Sequence, residues 1–275
     1  MAKSNPKKLI NESAKMLRQI MQAGLTVISD EIIIGLSKGF DKTSEATELE
    51  PLKDVSSKGL RSYKSALKDA FTVIATRALK EVRTELPKQV RLDESFKLAA
   101  YDLLPVKIRK QIEAQAELLS VTQFNDLKKE ISFQYLSSAP STDSMASLIN
   151  DLQESADSFA YGASVNAGSV TAAAQNVNNV RTEFLFEADS LEQIEAFEFV
   201  NGDPVSEICQ NLAGTIFFKD DPESFQFFPP LHFNCKSYVR PLIKVPRGKE
   251  IQKLQPSTQK ARDSIQFAEH KCPQC

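Results

Sequence analysis

Apolar residues recur every three or four positions through the first half of the chain, the spacing that places them on one face of a helix. Two such helices are predicted, separated by the polar stretch 41–57, which contains Pro51. The second helix ends before Pro87, because the residue before a proline disfavours helical backbone angles. The two apolar stripes are Leu17, Ile20, Met21, Leu25, Ile28 and Ile32, and then Leu60, Tyr63, Leu67, Phe71, Ile74 and Val82.

Further helices are predicted downstream of these two. Two or three shorter ones over residues 93–136 complete a helical arm that spans 1–136. After a linker rich in Ser, Thr and Pro, the helical pattern resumes over 141–192. It predicts one long helix or a helix pair, because Gly162 and Gly168 lie inside it and an interior glycine costs about 1 kcal/mol relative to alanine.

The period changes to that of a strand after the helical region, where Phe197 and Phe199 flank a polar residue. Residues 215–218 and 237–240 are further strand candidates. We therefore predict a small α+β module over 193–275. The predicted fold class is α+β, with a mainly α-helical N-terminal arm of long helices followed by this C-terminal module.

The composition argues against two broad classes of protein. Hydrophobic residues make up 41% of the 275 residues and charged residues 25%, which is typical of a chain with a packed core and not of a disordered one. The most apolar run, Ile32–Leu36, is far shorter than the about 20 residues that span a bilayer, so no membrane partner is predicted. The N-terminal residues contain no apolar signal core, so the protein is expected to be made in the cytoplasm, where thiols stay reduced.

Charge is distributed unevenly along the chain. Residues 1–135 carry 23 basic and 18 acidic side chains, residues 136–210 carry 1 and 12, and residues 211–275 carry 10 and 6. The basic first part is typical of a solvated helix face, with nucleic-acid contact as the less favoured alternative. The acidic middle part fits a surface that faces a basic partner or that keeps DNA away.

The candidate chemistry lies in the last 67 residues, which contain all four cysteines and both histidines. Such a cluster after a long stretch with neither residue type predicts a domain stapled by a metal ion. The last four residues form a Cys-x-x-Cys pair, the spacing at which two thiolates converge on one zinc ion. The six candidate ligands are Cys209, His232, Cys235, His270, Cys272 and Cys275.

Two strings carry a resemblance to a known family. Residues 203–217 read Asp-Pro-Val-Ser-Glu-Ile-Cys-Gln-Asn-Leu-Ala-Gly-Thr-Ile-Phe, and residues 229–237 read Pro-Pro-Leu-His-Phe-Asn-Cys-Lys-Ser. In combination they resemble the signature of the phage minor head proteins, the head morphogenesis family typified by the minor head proteins of phages SPP1 and Mu. Residues 181–183, Arg-Thr-Glu, resemble a further element of that family.

The resemblance implies a minor capsid protein of the virion that acts in head morphogenesis and joins the procapsid with the portal. Its implied place is the head interior or the portal vicinity. The implied partners are the portal protein and the major capsid or scaffolding protein, with packaged DNA as a further candidate. The resemblance also implies that Arg181 and Glu183 brace the preceding helix against the C-terminal module.

The resemblance implies a metal site with one departure from the family pattern. Ser206 stands where the family has its first cysteine, so the local site is one ligand short, and the C-terminal Cys-x-x-Cys pair offers a replacement. His232 is the first alternate, either as a ligand or as a hydrogen-bonding group outside the ligand set. The favoured ligands of a structural zinc ion are Cys209, Cys235, Cys272 and Cys275.

Phenylalanines crowd the loop between the two strings and its flanks. We favour the interpretation that these rings fill the core of a module too small to bury enough apolar surface otherwise. The alternative is that three of them are exposed anchors for another protein. These three are Phe225, Phe227 and Phe228.

No catalytic or cofactor-binding residue is predicted. The chain contains no glycine-rich phosphate loop, no His-Glu-x-x-His pair and no nucleophile elbow. A metal-dependent hydrolase or nuclease stays open as the alternative, because a carboxylate base beside an open metal position would suffice. The available side chains are His232, Asp203, Glu207, Asp220 and Asp221.

Overall fold

Among the residues that the structure describes, five long helices precede the first strand. The computed structural model describes residues 5–39, 57–86, 104–138, 144–165, 168–186, 192, 194–202, 206–220, 226–232 and 235–244. The helices are α1 Pro6–Gly39, α2 Ser57–Arg83, α3 Val106–Ser138, α4 Met145–Val165 and α5 Gly168–Leu185.

Two of these helices begin at residues suited to a helix start. The Asn5 side chain accepts a hydrogen bond from the Lys8 backbone N–H at 3.0 Å, and Pro6 occupies the first position of α1, where a missing N–H costs nothing. The Ser144 hydroxyl accepts from the Ser147 N–H at 3.2 Å ahead of α4. Short polar side chains in the sequence thus set where α1 and α4 begin.

The third helix covers most of the region that was predicted to contain two or three shorter helices. α3 is a single helix of 33 residues, and residues 93–103 of the predicted region 93–136 lie outside the described residues. Its apolar residues lie on both faces: Ile112 and Ile131 are buried, whereas Leu118 and Phe133 are exposed. No clean stripe therefore marks it as one helix in the sequence. Within the stretch 141–192, the described residues form two helices, α4 and α5, and residues 166–167 between them lie outside the described part.

A three-stranded antiparallel sheet follows the helices. Its strands are β1 Ala196–Val200, β2 Ile216–Phe218 and β3 Tyr238–Leu242, in the order β2-β1-β3, and the short helix α6 Glu207–Leu212 lies between β1 and β2 in the chain. The strands coincide with the predicted strand regions. The α+β fold class, long helices with a small C-terminal sheet, is confirmed.

The described chain divides into two compact units, each assembled from separated segments. The first contains the described residues of Met1–Ala14, Val73–Ile108 and Val170–Cys275, and the second those of Lys15–Thr72 and Arg109–Ser169. This division differs from the predicted segments, because residues of the helical arm pack with the C-terminal module.

The second unit has a core of apolar side chains with one polar contact inside it. The Tyr63 hydroxyl donates a hydrogen bond to the Gln123 side chain in this core, and burial raises the pKa of Tyr63. At the edge of the unit, Lys68 of α2 pairs with Glu113 of α3 at 3.0 Å. Its fully buried apolar residues include Leu17, Met21, Leu25, Leu67, Ile112 and Ile131.

α1 is long and apolar enough to cross a membrane, and among the described helices it alone meets that criterion. Over Pro6–Ser37, its most apolar 18-residue window has a mean hydropathy of 1.4. The run Ile32–Leu36 is only a small part of this helix. The longer apolar window does not stand out in the sequence, because polar residues are interspersed in it. Of the window, 39% is buried inside the protein, and core helices meet the same criterion. The helix is therefore weak evidence for a membrane span.

A buried arginine joins three elements of the first unit. Arg181 on α5 is 1% exposed and forms two parallel hydrogen bonds to the Glu85 carboxylate just after α2, at 2.8 and 2.9 Å. It also donates to the backbone carbonyl of Val239 in β3 at 3.0 Å, and its guanidinium lies 5.4 Å from the centre of the Tyr238 ring. These are the contacts expected of a brace.

α5 also bonds the outer edge of the sheet. Asn178, one helical turn before Arg181, donates from its side chain to the Ser237 carbonyl at 3.1 Å. The carbonyls of Ser237 and Val239 thus accept hydrogen bonds from helix side chains. Pro241 follows in β3, and a proline is tolerated in an edge strand because it has no N–H to leave unpaired.

The second residue of the predicted brace lies elsewhere. Glu183 pairs with Lys107 at 2.6 Å, and the Lys107 side chain is 72% exposed. Arg181 and Glu183 are not partners, since the arginine bonds Glu85. Residues two apart on a helix point in different directions, so only Arg181 faces the sheet.

We predict that Glu85→Gln lowers the free energy of unfolding by about 3 kcal/mol, because it leaves a buried guanidinium without its counter-charge. The matched control is Glu183→Gln, which removes an ion pair to the exposed Lys107 side chain and should cost less than about 1 kcal/mol. Urea denaturation followed by far-UV circular dichroism measures both. Equal losses for the two variants would contradict a bracing role for Arg181.

Candidate metal centre

The first sulfur of the centre is positioned by a short helix. Ser206 caps α6, and its hydroxyl accepts a hydrogen bond from the Cys209 backbone N–H at 3.4 Å. Ile208, Cys209 and Leu212 point inward and are buried. Ser206 stands where the resembled family has its first cysteine, and in this chain it is the N-cap of the helix that carries Cys209.

The glycine of the first string, Gly214, is explained by its backbone conformation. Gly214 has a φ of 75°, in the left-handed region that residues with a side chain rarely adopt. Its N–H donates to the Phe199 carbonyl at 2.9 Å, so the turn after α6 is joined to β1 just before β2 begins. Three residues of the first string thus have distinct structural roles: Cys209 supplies a buried sulfur, Leu212 is a buried apolar residue and Gly214 forms the turn.

The second string, residues 229–237, supplies the other two candidate metal ligands, His232 and Cys235. The Pro229–Pro230 peptide is cis. The Cys235 N–H donates to the His232 carbonyl at 3.2 Å, which holds these two residues close together. Cys235 is fully buried, whereas His232 is half-buried.

The three side chains converge on one point. The Cys209 and Cys235 sulfurs are 3.7 Å apart, and the Cys209 sulfur lies 3.1 Å from Nε2 of His232. Two thiolates bound to one tetrahedral zinc ion at about 2.3 Å lie about 3.8 Å apart, so the sulfur spacing fits a shared ion. Both cysteines are free thiols. This Cys2His group could bind a metal ion.

The two sulfurs are hydrogen-bonded to each other. This contact lowers the pKa of Cys235 and raises that of Cys209. His232 and the Leu231 backbone N–H lower the pKa of Cys235 further, against the effect of burial. Cys235 is thus prepared as a thiolate, the form in which cysteine binds metals.

A hydrogen bond joins the segment after β1 to the segment that follows Cys235. The Gly202 N–H donates to the Ser237 hydroxyl at 3.1 Å. A Cβ at Gly202 would lie 1.9 Å from the Lys236 carbonyl oxygen and 3.0 Å from the Ser237 nitrogen. Only glycine permits this approach of the segment after β1 to the segment after Cys235.

The phenylalanines near the site form a core. Phe227 is fully buried and stacks on Phe217 with their ring centres 5.8 Å apart. Phe228 lies against Phe186, Phe197 and Phe217, with ring centres 5.3 to 6.0 Å away. Phe227 and Phe228 therefore pack inside the module and are not exposed anchors, because the small sheet needs their rings to bury its inner face.

Several predicted residues are not tested here. Cys272, Cys275, His270 and Phe225 lie outside the described residues, as do Asp203 and Asp221. Among the described residues, the group around Cys209 contains no carboxylate, so Glu207 and Asp220 do not join it. The described part of the centre therefore offers three ligands and no general base.

Sequence reasoning missed the residues that support the centre. Asn178, Gly202 and Ser237 each make a contact over at least 35 positions of the chain. Gly202 could have been recognised from the sequence, because it follows a predicted strand, where a glycine often marks the close approach of two backbone segments. Nothing in the sequence marks Asn178 or Ser237, since buried polar partners are recognised only once the chain has folded.

We predict that Gly202→Ala lowers the free energy of unfolding by about 1 to 3 kcal/mol, because the new methyl group displaces backbone and cannot be avoided by a rotamer change. Gly162→Ala in α4 is the control, since nothing lies within 4 Å of a Cβ there, and it should stabilise by up to about 1 kcal/mol. Thermal unfolding of both variants tests this. A neutral Gly202→Ala would refute the close approach.

Comparisons with known proteins add no relative. No family model, no curated protein and no solved structure matches the chain. The resemblance to the minor head proteins therefore stays a prediction, carried by the two strings and by Arg181-Thr182-Glu183.

Proposed function

We propose that this chain is a phage minor head protein that acts in procapsid assembly beside the portal. The observation that supports the proposal best is that Cys209 from the first string meets His232 and Cys235 from the second at one site. The two strings that together resemble one family are thus parts of one structural unit.

In this proposal the long helices dock on portal, capsid or scaffolding subunits, and the C-terminal module is a rigid recognition element. Rigidity favours binding, because fewer degrees of freedom are lost when the complex forms. The module has a small sheet and needs reinforcement. Zinc binding in small sites contributes about 10 kcal/mol or more of folding free energy.

We propose zinc as the metal. A closed structural zinc site has four ligands, and thiolates with imidazole are its usual donors. Cys209, His232 and Cys235 supply three. The fourth in this proposal is a thiolate of the C-terminal Cys-x-x-Cys pair, Cys272 or Cys275.

A metal-dependent hydrolase is the second candidate, and one observation favours it. Three protein ligands are the usual number in catalytic zinc sites, where the fourth position binds water or substrate. Against it stands the group itself, which has no carboxylate among the described residues to act as a base. Structural and catalytic sites differ in their response to loss of the tail cysteines.

We predict one zinc ion per chain, and loss of that zinc in the double variant Cys272→Ser/Cys275→Ser together with a large fall in melting temperature. The reason is that removal of the fourth thiolate opens the site and weakens binding. Elemental analysis and thermal unfolding before and after chelation measure both. Zinc retained in the double variant would reject completion by the tail and favour the open, catalytic site.

A third variant separates tail completion from general damage. Ser206→Cys introduces a thiol at the cap of α6, where the serine hydroxyl accepts a hydrogen bond from the Cys209 backbone N–H. Added to the double variant, it should restore zinc binding if only a fourth ligand was missing. Failure to restore binding, with the fold intact, would indicate that the tail contributes more than a ligand.

We predict that the protein co-purifies with portal oligomers or procapsids when it is co-expressed with the portal, major capsid and scaffolding proteins of its own genome. Cys209→Ser, which breaks the centre, should reduce incorporation at least several-fold. The zinc-loaded protein should not hydrolyse phosphodiester or peptide substrates. Hydrolysis that is lost in His232→Ala, without co-purification, would select the hydrolase instead.

A further inference from the structure

The two cysteines of the candidate metal centre are close enough to react with each other. Their sulfurs lie 3.7 Å apart, and both residues are free thiols. A disulfide joins two sulfurs at about 2.0 Å, so bond formation requires the sulfurs to approach by about 1.7 Å. Rotation about side-chain bonds can supply a movement of this size. The pair therefore needs only a small adjustment and an oxidant to form a disulfide.

The closeness of the two sulfurs follows from how their segments are held. Cys209 lies on α6 and Cys235 lies 26 positions later, just before β3. The turn after α6 is hydrogen-bonded to β1 through the Gly214 N–H, and the segment after Cys235 is hydrogen-bonded to the end of β1 through the Gly202 N–H. Both cysteines are thus carried by segments anchored to the same central strand.

Burial of the pair restricts the class of oxidant. Cys209 and Cys235 are fully buried, whereas His232, whose Nε2 lies 3.1 Å from the Cys209 sulfur, is half-buried. A disulfide oxidant such as oxidised glutathione has to form a mixed disulfide with one of the sulfurs, and burial leaves no room for it. Hydrogen peroxide is little larger than water. It is therefore the oxidant class that suits this site.

We infer that Cys209 and Cys235 are a peroxide-sensitive thiol pair, which closes to a disulfide in place of the metal ion that the two residues share in the reduced protein. The exchange with a metal ion rests on the proposed zinc site, whereas formation of the disulfide does not. A sulfur in a disulfide has no thiolate to give to a metal, so the bond and the ion exclude each other. Either one joins α6 to the segment before β3.

The reaction is balanced with hydrogen peroxide as the sole oxidant. The sulfur of one thiol attacks a peroxide oxygen, the O–O bond breaks, and the products are a sulfenic acid and one water. The second thiol then displaces the hydroxyl group of the sulfenic acid as another water, and the S–S bond forms. Two thiols lose two electrons and two protons, and the peroxide is reduced to two waters. When the thiolates start as metal ligands, the solvent supplies the two protons and the metal ion is released.

The experiment treats the zinc-loaded full chain with hydrogen peroxide, blocks the remaining thiols with iodoacetamide and maps disulfides in a non-reducing tryptic digest. Lysines at positions 219, 236 and 271 place Cys209, Cys235 and the two C-terminal cysteines in three different peptides. We expect the peptides of Cys209 and Cys235 to be linked, and dithiothreitol to reverse the link. A chromogenic chelator should detect about one Zn²⁺ released per disulfide formed.

Two controls separate the folded geometry from ordinary thiol chemistry. The reduced chain in urea should favour the bond between Cys272 and Cys275, because the shortest loop has the smallest entropic cost of closure. The variant Cys272→Ser/Cys275→Ser keeps the buried pair and should still form the bond between Cys209 and Cys235. In Cys209→Ser that bond cannot form. After oxidation, a chelator should no longer lower the melting temperature of the wild-type protein.

The outcomes distinguish this inference from the proposed zinc site. If wild type binds no zinc but links Cys209 to Cys235, the zinc site fails and the thiol pair stands. If wild type binds zinc and peroxide yields only sulfinic acids, or only a bond between the C-terminal cysteines, the thiol pair fails. Zinc that stays bound after the link has formed would overturn the exchange. If the double variant does not fold, the map of the wild-type protein decides alone, and an equal yield of the link in urea would overturn the inference.

Discussion

One buried guanidinium is the contact on which the first unit depends. Arg181 is removed from water, which is tolerated only because the Glu85 carboxylate and the Val239 carbonyl accept its N–H groups. These acceptors belong to segments far apart in the sequence, so one side chain on α5 fixes both the end of α2 and the strand that follows the metal centre. A lysine could not replace it, because it lacks the planar fork that bonds both carboxylate oxygens.

The candidate metal centre is a second buried polar site in the first unit. There too, burial of polar atoms requires polar partners. The ligand atoms of two cysteines and one histidine lie within 4.8 Å of one another. The stacked rings of Phe217 and Phe227 supply apolar burial in the same module. The guanidinium of Arg181 and the sulfur of Cys209 are therefore buried beside specific polar partners.

The sequence was sufficient for features that depend on local order. Helical spacing located α1 and α2, and the alternation at Phe197 and Phe199 located β1. The two strings named Cys209, His232 and Cys235 before any geometry was known. The sequence does not reveal contacts that depend on packing between distant segments. For example, the ion-pair partner of Arg181 is Glu85 and not the nearby Glu183. The length of α3 is not marked in the sequence, because its apolar residues face both the core and the solvent, which removes the periodic signal.

The hydrogen bonds from Asn178 and Arg181 to the carbonyls of Ser237 and Val239 have a consequence for crowding. An edge strand with free carbonyls is a template on which a strand of another molecule can pair, and such pairing leads to aggregation. Here α5 occupies those acceptors, Pro241 removes a donor further along β3, and the opposite edge strand, β2, is only three residues long. The sheet is therefore closed to strand addition from β3, so copies of this protein can be concentrated together without joining edge to edge.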